Sequence, residues 1–209
     1  MKKLLISGLV LGFWFSGAAS AAFVAPDSAT VLAGGTLSGY DVNDTINGSG
    51  LDVHNETGVM NYPSLTQSYF SQPGTSATVN YGFNSAIDVG AFYLWNGGSN
   101  TYNGYGIKDF TLEFFSGATS LGSTGTLTAS ALPNNQPSYA AEVFSGFLFS
   151  NVTDIQLQVA NTYGTSYVSV NEVGFDTSPV PVPAAVWLFG SGLIALLGLK
   201  RKNKALITA

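Results

Sequence analysis

From Ala22 to Thr177 apolar and polar residues tend to alternate, and helical spacing is nearly absent. Ala77-Thr-Val-Asn-Tyr-Gly-Phe83 alternates, and Ala86 to Trp95 forms a longer, more apolar run. In Ile107 to Phe114 one face carries Phe110, Leu112 and Phe114, and the other carries Asp109, Thr111 and Glu113. Ile155, Leu157 and Val159 alternate with Gln156 and Gln158, and Val168, Val170, Val173 and Phe175 mark a last strand. Clusters such as Asn96-Gly-Gly-Ser-Asn-Thr101 and Pro133-Asn-Asn-Gln-Pro137 separate these runs. A period of two over short segments bounded by turn residues predicts strands that bury one face. The expected class is all-β, an antiparallel β-sandwich of jelly-roll type.

Two unbroken apolar runs flank this region. Met1-Lys-Lys3 precedes the apolar stretch Leu4 to Phe15, and Ala19-Ser-Ala21 supplies small residues at the spacing signal peptidase reads. Residues 1–21 are therefore expected to be a signal peptide, cut after Ala21 or, second, after Ala22. At the other end Ala184 to Leu199 carries no charge and ends on Lys200-Arg201-Lys202 and Lys204. A helix of that length spans roughly 24 Å. That is short of a bilayer core of about 30 Å, but snorkelling by the flanking lysine extends it. A single C-terminal transmembrane helix over 184–199 is expected, with Lys200, Arg201 and Lys202 retaining the cytoplasmic end.

The segment Val180-Pro181-Val182-Pro183-Ala-Ala-Val-Trp-Leu-Phe-Gly-Ser-Gly192, the apolar run and the basic cluster together resemble the PEP-CTERM sorting signal. That family comprises exported proteins of Gram-negative, exopolysaccharide-producing bacteria, whose tails are recognised by exosortase, a membrane-embedded cysteine transpeptidase. The namesake motif is Pro-Glu-Pro, and Val182 stands here in the place of the glutamate. The resemblance implies signal peptidase and exosortase as processing partners. It also implies an inner-membrane intermediate and delivery to the cell surface or medium. Residues 178–204 form the sorting signal and 205–209 its cytoplasmic end, leaving 22–177 as the ectodomain.

Charge narrows the function classes. Between 22 and 177 there are twelve acids against Lys108 alone, a formal charge of −11. Such a surface repels phosphate polyanions, so nucleic acid is not an expected partner. The chain has no cysteine, which excludes thiol catalysis, disulfides and cysteine-ligated metals. His54 is the only histidine, and neither a Gly-x-Ser-x-Gly elbow nor a phosphate-binding glycine loop is present. The pair Asp109 and Glu113 is the remaining hydrolytic possibility; its position on an open strand face reads as solvated.

The order of the segments Tyr40 to Leu51, Ala86 to Trp95, Gly106-Ile-Lys-Asp-Phe-Thr-Leu112 and Ser166 to Phe175 resembles the galactose-binding-like jelly roll of discoidin, or coagulation factor 5/8 type C, domains. The tryptophan that often closes the early loop there has no counterpart near Leu51. Asp41, Asn43, Asp44 and Asp52 offer oxygen ligands in a flexible loop, a candidate Ca²⁺ site, which the resemblance also implies. Trp95, Tyr102 and Tyr105 are the candidate glycan contacts, since aromatic rings stack on the apolar faces of sugars. The chain thus reads as a non-enzymatic, exosortase-processed surface or matrix protein associated with exopolysaccharide or biofilm. The alternative is a galactose-binding-like carbohydrate-binding module recognising an extracellular glycan.

Overall fold

A computed structural model describes residues 22–61, 68–98, 104–132 and 138–177. The expected signal peptide, the sorting motif Val180–Pro183 and the helix over 184–199 with its basic cluster lie outside the described residues, as does Tyr102. Among the described residues no helix is long and apolar enough to cross a membrane.

The strands are β1 (Ala22–Val24), β2 (Ser28–Ala33), β3 (Val59–Asn61), β4 (Tyr69–Phe70), β5 (Ala77–Asn96), β6 (Asp109–Ser116), β7 (Thr119–Thr128), β8 (Ser138–Ala140), β9 (Glu142–Val159) and β10 (Ser169–Thr177). One 3-10 turn, Val42–Thr45, is capped by Asp41. All strand pairings are antiparallel. The main sheet runs β1-β10-β5-β9-β6-β7, with β2 also on β5 and β4 on β10, and β3 pairs separately with β8.

Two long strands turn this sheet into a sandwich. The first part of β5 pairs with β2, and its last part pairs with β10. It follows β9 throughout, with register shifts between Gly82 and Ala91. The bend lets one hydrogen-bonded sheet supply both layers, because bulges kink and twist the strands that carry them. Between the layers Tyr81 meets Phe175 at 6.4 Å and Phe92 meets Phe110 at 5.8 Å, ring centre to ring centre. Phe110, Leu112 and Phe114 are buried in this core, on the face their alternation predicts. The sequence pattern suggested two strands over 77–95. The structure continues one strand through the polar residues Asn84 and Ser85 as a bend with open side chains.

A second apolar cluster lies on the opposite face of β5. Ala91, Tyr93 and Trp95 point there and are buried with Met60, with Phe23, Leu51, Tyr139 and Ala141 packed around them. The covering segment is 48–61, fastened by the Trp95 indole, which donates to the Gly58 carbonyl at 2.9 Å. Glu172, beside Trp95 in register, is fully buried beneath the same segment. Its Oε2 accepts from Gly48 N–H at 3.0 Å, and its Oε1 lies 3.3 Å from His54 Nε2.

Candidate functional site

The two chain ends of the described domain pair with each other, Ala22 beside Thr177, at the end of β10. The start of β10 is thus at the opposite end of the sandwich, where the β5–β6 and β9–β10 loops meet around Ser169. The Tyr105 carbonyl accepts from Ser169 N–H at 2.9 Å, and Gly106 bridges Ser169 in parallel. Gly97 packs so closely that an added Cβ would stand 2.1 Å from the Ser169 carbonyl oxygen, so only glycine fits without backbone movement. From the other side Thr165 Oγ1 donates to the Gly104 carbonyl at 3.2 Å, and Tyr163 N–H donates to the Gly106 carbonyl at 3.3 Å.

This convergence places the rings of Tyr105 and Tyr167 edge to face, 6.3 Å apart at 70°, both half-buried. Loops held by a rigid sandwich and carrying partly exposed aromatics are suited to ligand contact. Sequence reasoning named Tyr105 and missed Tyr167. Its signal was an aromatic at the junction of a Gly/Thr/Ser-rich loop with an apolar strand, and the reading assigned it to that strand.

A pocket of about 250 Å³ lies at the same end of the sandwich, where Asn96 pairs with Val170, lined by Leu94, Asn96, Ser130, Leu132, Tyr139 and Glu142 among others. The Asn96 side chain joins pocket to loops: its Nδ2 donates to the Ile107 carbonyl at 2.8 Å, and its Oδ1 accepts from the N–H groups of Ile107 and Gly97. Tyr139 Oη donates to the Asn96 carbonyl at 2.7 Å and accepts from Asn171 Nδ2 at 2.6 Å. Glu142 takes two bonds from Ser130, N–H to Oε2 at 2.7 Å and Oγ to Oε1 at 2.9 Å. Tyr163 Oη donates to the Ala129 carbonyl, and burial, with Glu142 and Asp109 nearby, raises its pKa above the ordinary phenol value.

The other residues singled out in the sequence are placed differently. Trp95 is fully buried and spends its indole N–H on Gly58, so its ring offers no face to a sugar. That corrects its expected role as a glycan contact: β5 carries it under the 48–61 cover, where apolar burial outweighs exposure in the adjoining loop. The four oxygen-bearing residues proposed for Ca²⁺ build turns instead. Asp41 Oδ1 accepts from Asn43 N and Nδ2, both at 2.9 Å; Asp44 Oδ1 accepts from Asn47 Nδ2 at 3.1 Å; Asp52 Oδ1 accepts from Val53 N and Val59 N at 2.8 and 2.7 Å. Among the described residues no three His, Cys, Asp or Glu side chains stand together as metal ligands would. Asp109 and Glu113 are likewise tied to neighbours. Thr128 Oγ1 and Asn161 Nδ2 hold the Asp109 carboxyl below the usual range, and Ser120 and Gln158 donate to Glu113.

No family model and no characterised protein matches the chain by sequence. Solved structures do match by shape. The family 32 carbohydrate-binding module of NanJ from C. perfringens, solved in complex with galactose, superposes with a TM-score of 0.52 at 10% identity, over 75% of this chain and 99% of that one. The F5/8 type C domain of a Bacteroides fragilis protein gives 0.50 at 12% identity, over 77% and 98%. A chitosan-binding module of a chitosanase/glucanase from Paenibacillus sp. IK-5 gives 0.50 at 11%, over 75% and 99%. The chain shares the fold of these modules. The jelly-roll expectation and the discoidin resemblance are both met at the level of fold.

Proposed function

We propose that residues 22–177 form a glycan-binding module whose contact surface is the loop end carrying Tyr105 and Tyr167. The observation that carries this reading is the half-buried aromatic pair, set by two converging loops at the end of the sandwich opposite Ala22 and Thr177. The shared fold with domains solved on galactose or named for chitosan binding supports it. Ring faces pack on sugar C–H groups, and the Thr, Asn and Tyr groups around them suit hydroxyl recognition. The reading is one of binding without catalysis, since Asp109 and Glu113 serve the sheet. A glycan array followed by titration calorimetry tests it. Tyr105→Ala and Tyr167→Ala should each weaken binding about tenfold or more, with the thermal midpoint held within a few degrees. Silence of the unmodified protein across the array, or indifference to both changes, would overturn the reading.

The route to that glycan remains as the sequence suggests: export, then exosortase handling of the tail around Val180–Pro183, with exopolysaccharide outside the cell as the nearest ligand source. Intact mass of the protein from medium and cell surface checks it. A product starting near Ala22 and ending near Pro183 only when exosortase is present is the expected result.

A further inference from the structure

The pocket at this end of the sandwich contains one carboxyl group, that of Glu142, among its described lining residues, and no basic residue lines it. Its carboxylate is oriented but not neutralised. Both bonds it accepts come from uncharged groups of one residue, Ser130. Two carboxylate oxygens have about four acceptor sites, so capacity remains after these two bonds. The neighbouring polar side chains are engaged by the fold: the Asn96 amide is bound at both ends by backbone, and the Tyr139 hydroxyl is bonded to Asn96 and Asn171. The rest of the wall, including Leu94, Ala131 and Leu132, is apolar. Lys108 is the only Lys or Arg of residues 22–177 and is not in the wall, so no lysine or arginine of this region offers the carboxylate a counter-charge there.

We infer that this pocket takes the ammonium group of an amine-bearing sugar, a hexosamine with its nitrogen free, and that Glu142 is its counter-ion. The inference rests on the glycan-binding reading and names the ligand class for the same loop end. About 250 Å³ has room for one sugar ring. A carboxylate in a partly buried wall forms charge-assisted bonds to an ammonium that are screened less than on open surface. The −11 charge of the domain draws cationic glycans toward it and repels uronate chains. An N-acetylated sugar presents a neutral amide instead and forfeits the ion pair.

The test is calorimetry of the exported protein with three oligosaccharide series: glucosamine, N-acetylglucosamine and uronic acid. Glucosamine oligomers should bind about tenfold or more tightly than their N-acetylated forms. That ratio should fall toward one in Glu142→Gln. In the unmodified protein it should also shrink in high salt and at alkaline pH, where the sugar amine loses its proton; this readout holds even where the variant fails to fold. Equal affinity for the two hexosamine series, preference for uronates, or a ratio untouched by Glu142→Gln overturns the inference and leaves the glycan reading standing. No binding to these series or to a broader neutral array overturns both.

Discussion

Trp95 shows how one side chain can join two structural tasks. Its ring fills the second apolar cluster between Tyr93, Met60 and Phe23, and its N–H closes the covering segment on the Gly58 carbonyl. Trp95→Phe keeps an aromatic ring but deletes the donor and part of the volume. The Gly58 carbonyl then loses the bond it receives from the indole, and a small cavity opens beside Met60. The expected loss of stability is about 2 kcal/mol, from an unmade hydrogen bond and incomplete repacking. Urea unfolding measures it. A change under half a kcal/mol would show that the cover is held by other contacts. Tyr105 obeys the opposite logic: its backbone carbonyl is used by Ser169 while its ring stays half exposed beside Tyr167. Burial thus separates the structural aromatic from the candidate ligand-binding one, although the sequence named both as candidate contacts.

At the scale of elements the bend in β5 and β9 decides the architecture. Asn151 sits at the bend of β9 with φ of 59°, and its N–H donates to Asp88 Oδ1 on β5 at 3.1 Å. Asparagine tolerates this left-handed conformation better than other residues with a Cβ, and β-branched residues resist it most. Asn151→Gly should therefore be neutral within a few tenths of a kcal/mol, while Asn151→Val should cost roughly 1–2 kcal/mol. Thermal melts of the two variants compare them, and equal midpoints would remove the backbone argument. The alternation in 107–114 and 155–159 was legible because each strand buries one face, and these faces do line the core. The continuity of β5 was not legible. Asn84 and Ser85 look like turn residues, and only the pairing with β9 on both sides of them shows a bend within one strand. The site was legible in part, because Tyr105 stands in a Gly/Asn-rich loop. Tyr167 and Glu142 reach this end of the sandwich only through contacts far apart in sequence, such as Thr165 to Gly104 and the pairing of Glu142 with Leu94. No local pattern encodes such contacts.

For the molecule as a whole, the buried Glu172 and the partly exposed His54 beside it set how stability depends on pH. Burial pushes the Glu172 carboxyl up to about 9, and the Asp44 charge adds to the effect, while the Gly48 N–H opposes it. Burial also lowers His54 below its ordinary 6.5. The folded pair therefore holds one proton through the neutral range, on Glu172, while the unfolded chain holds two below about 4.5, one between there and 6.5, and none above. Just below 6.5 the unfolded imidazole has taken up a proton that the lowered His54 of the fold has not, so both states carry one proton and the pair adds no slope. Above 6.5 the folded state binds the extra proton, so stability falls as pH rises, until Glu172 itself ionises near 9. The loss across that window is about 3 kcal/mol by linkage. Tyr69 and Tyr93, pushed up to about 12 by burial, titrate beyond it. Urea midpoints at half-unit steps from pH 6 to 9 should trace a decline that starts near 6.5. Glu172→Gln removes the ionisable acid but keeps an acceptor for Gly48, so its curve should stay level from 6.5 to 9. A flat curve in the unmodified protein over that range would overturn this account: the folded pair would then release its proton at the same pH as the unfolded chain, leaving Glu172 ionised beside a neutral His54 above 6.5.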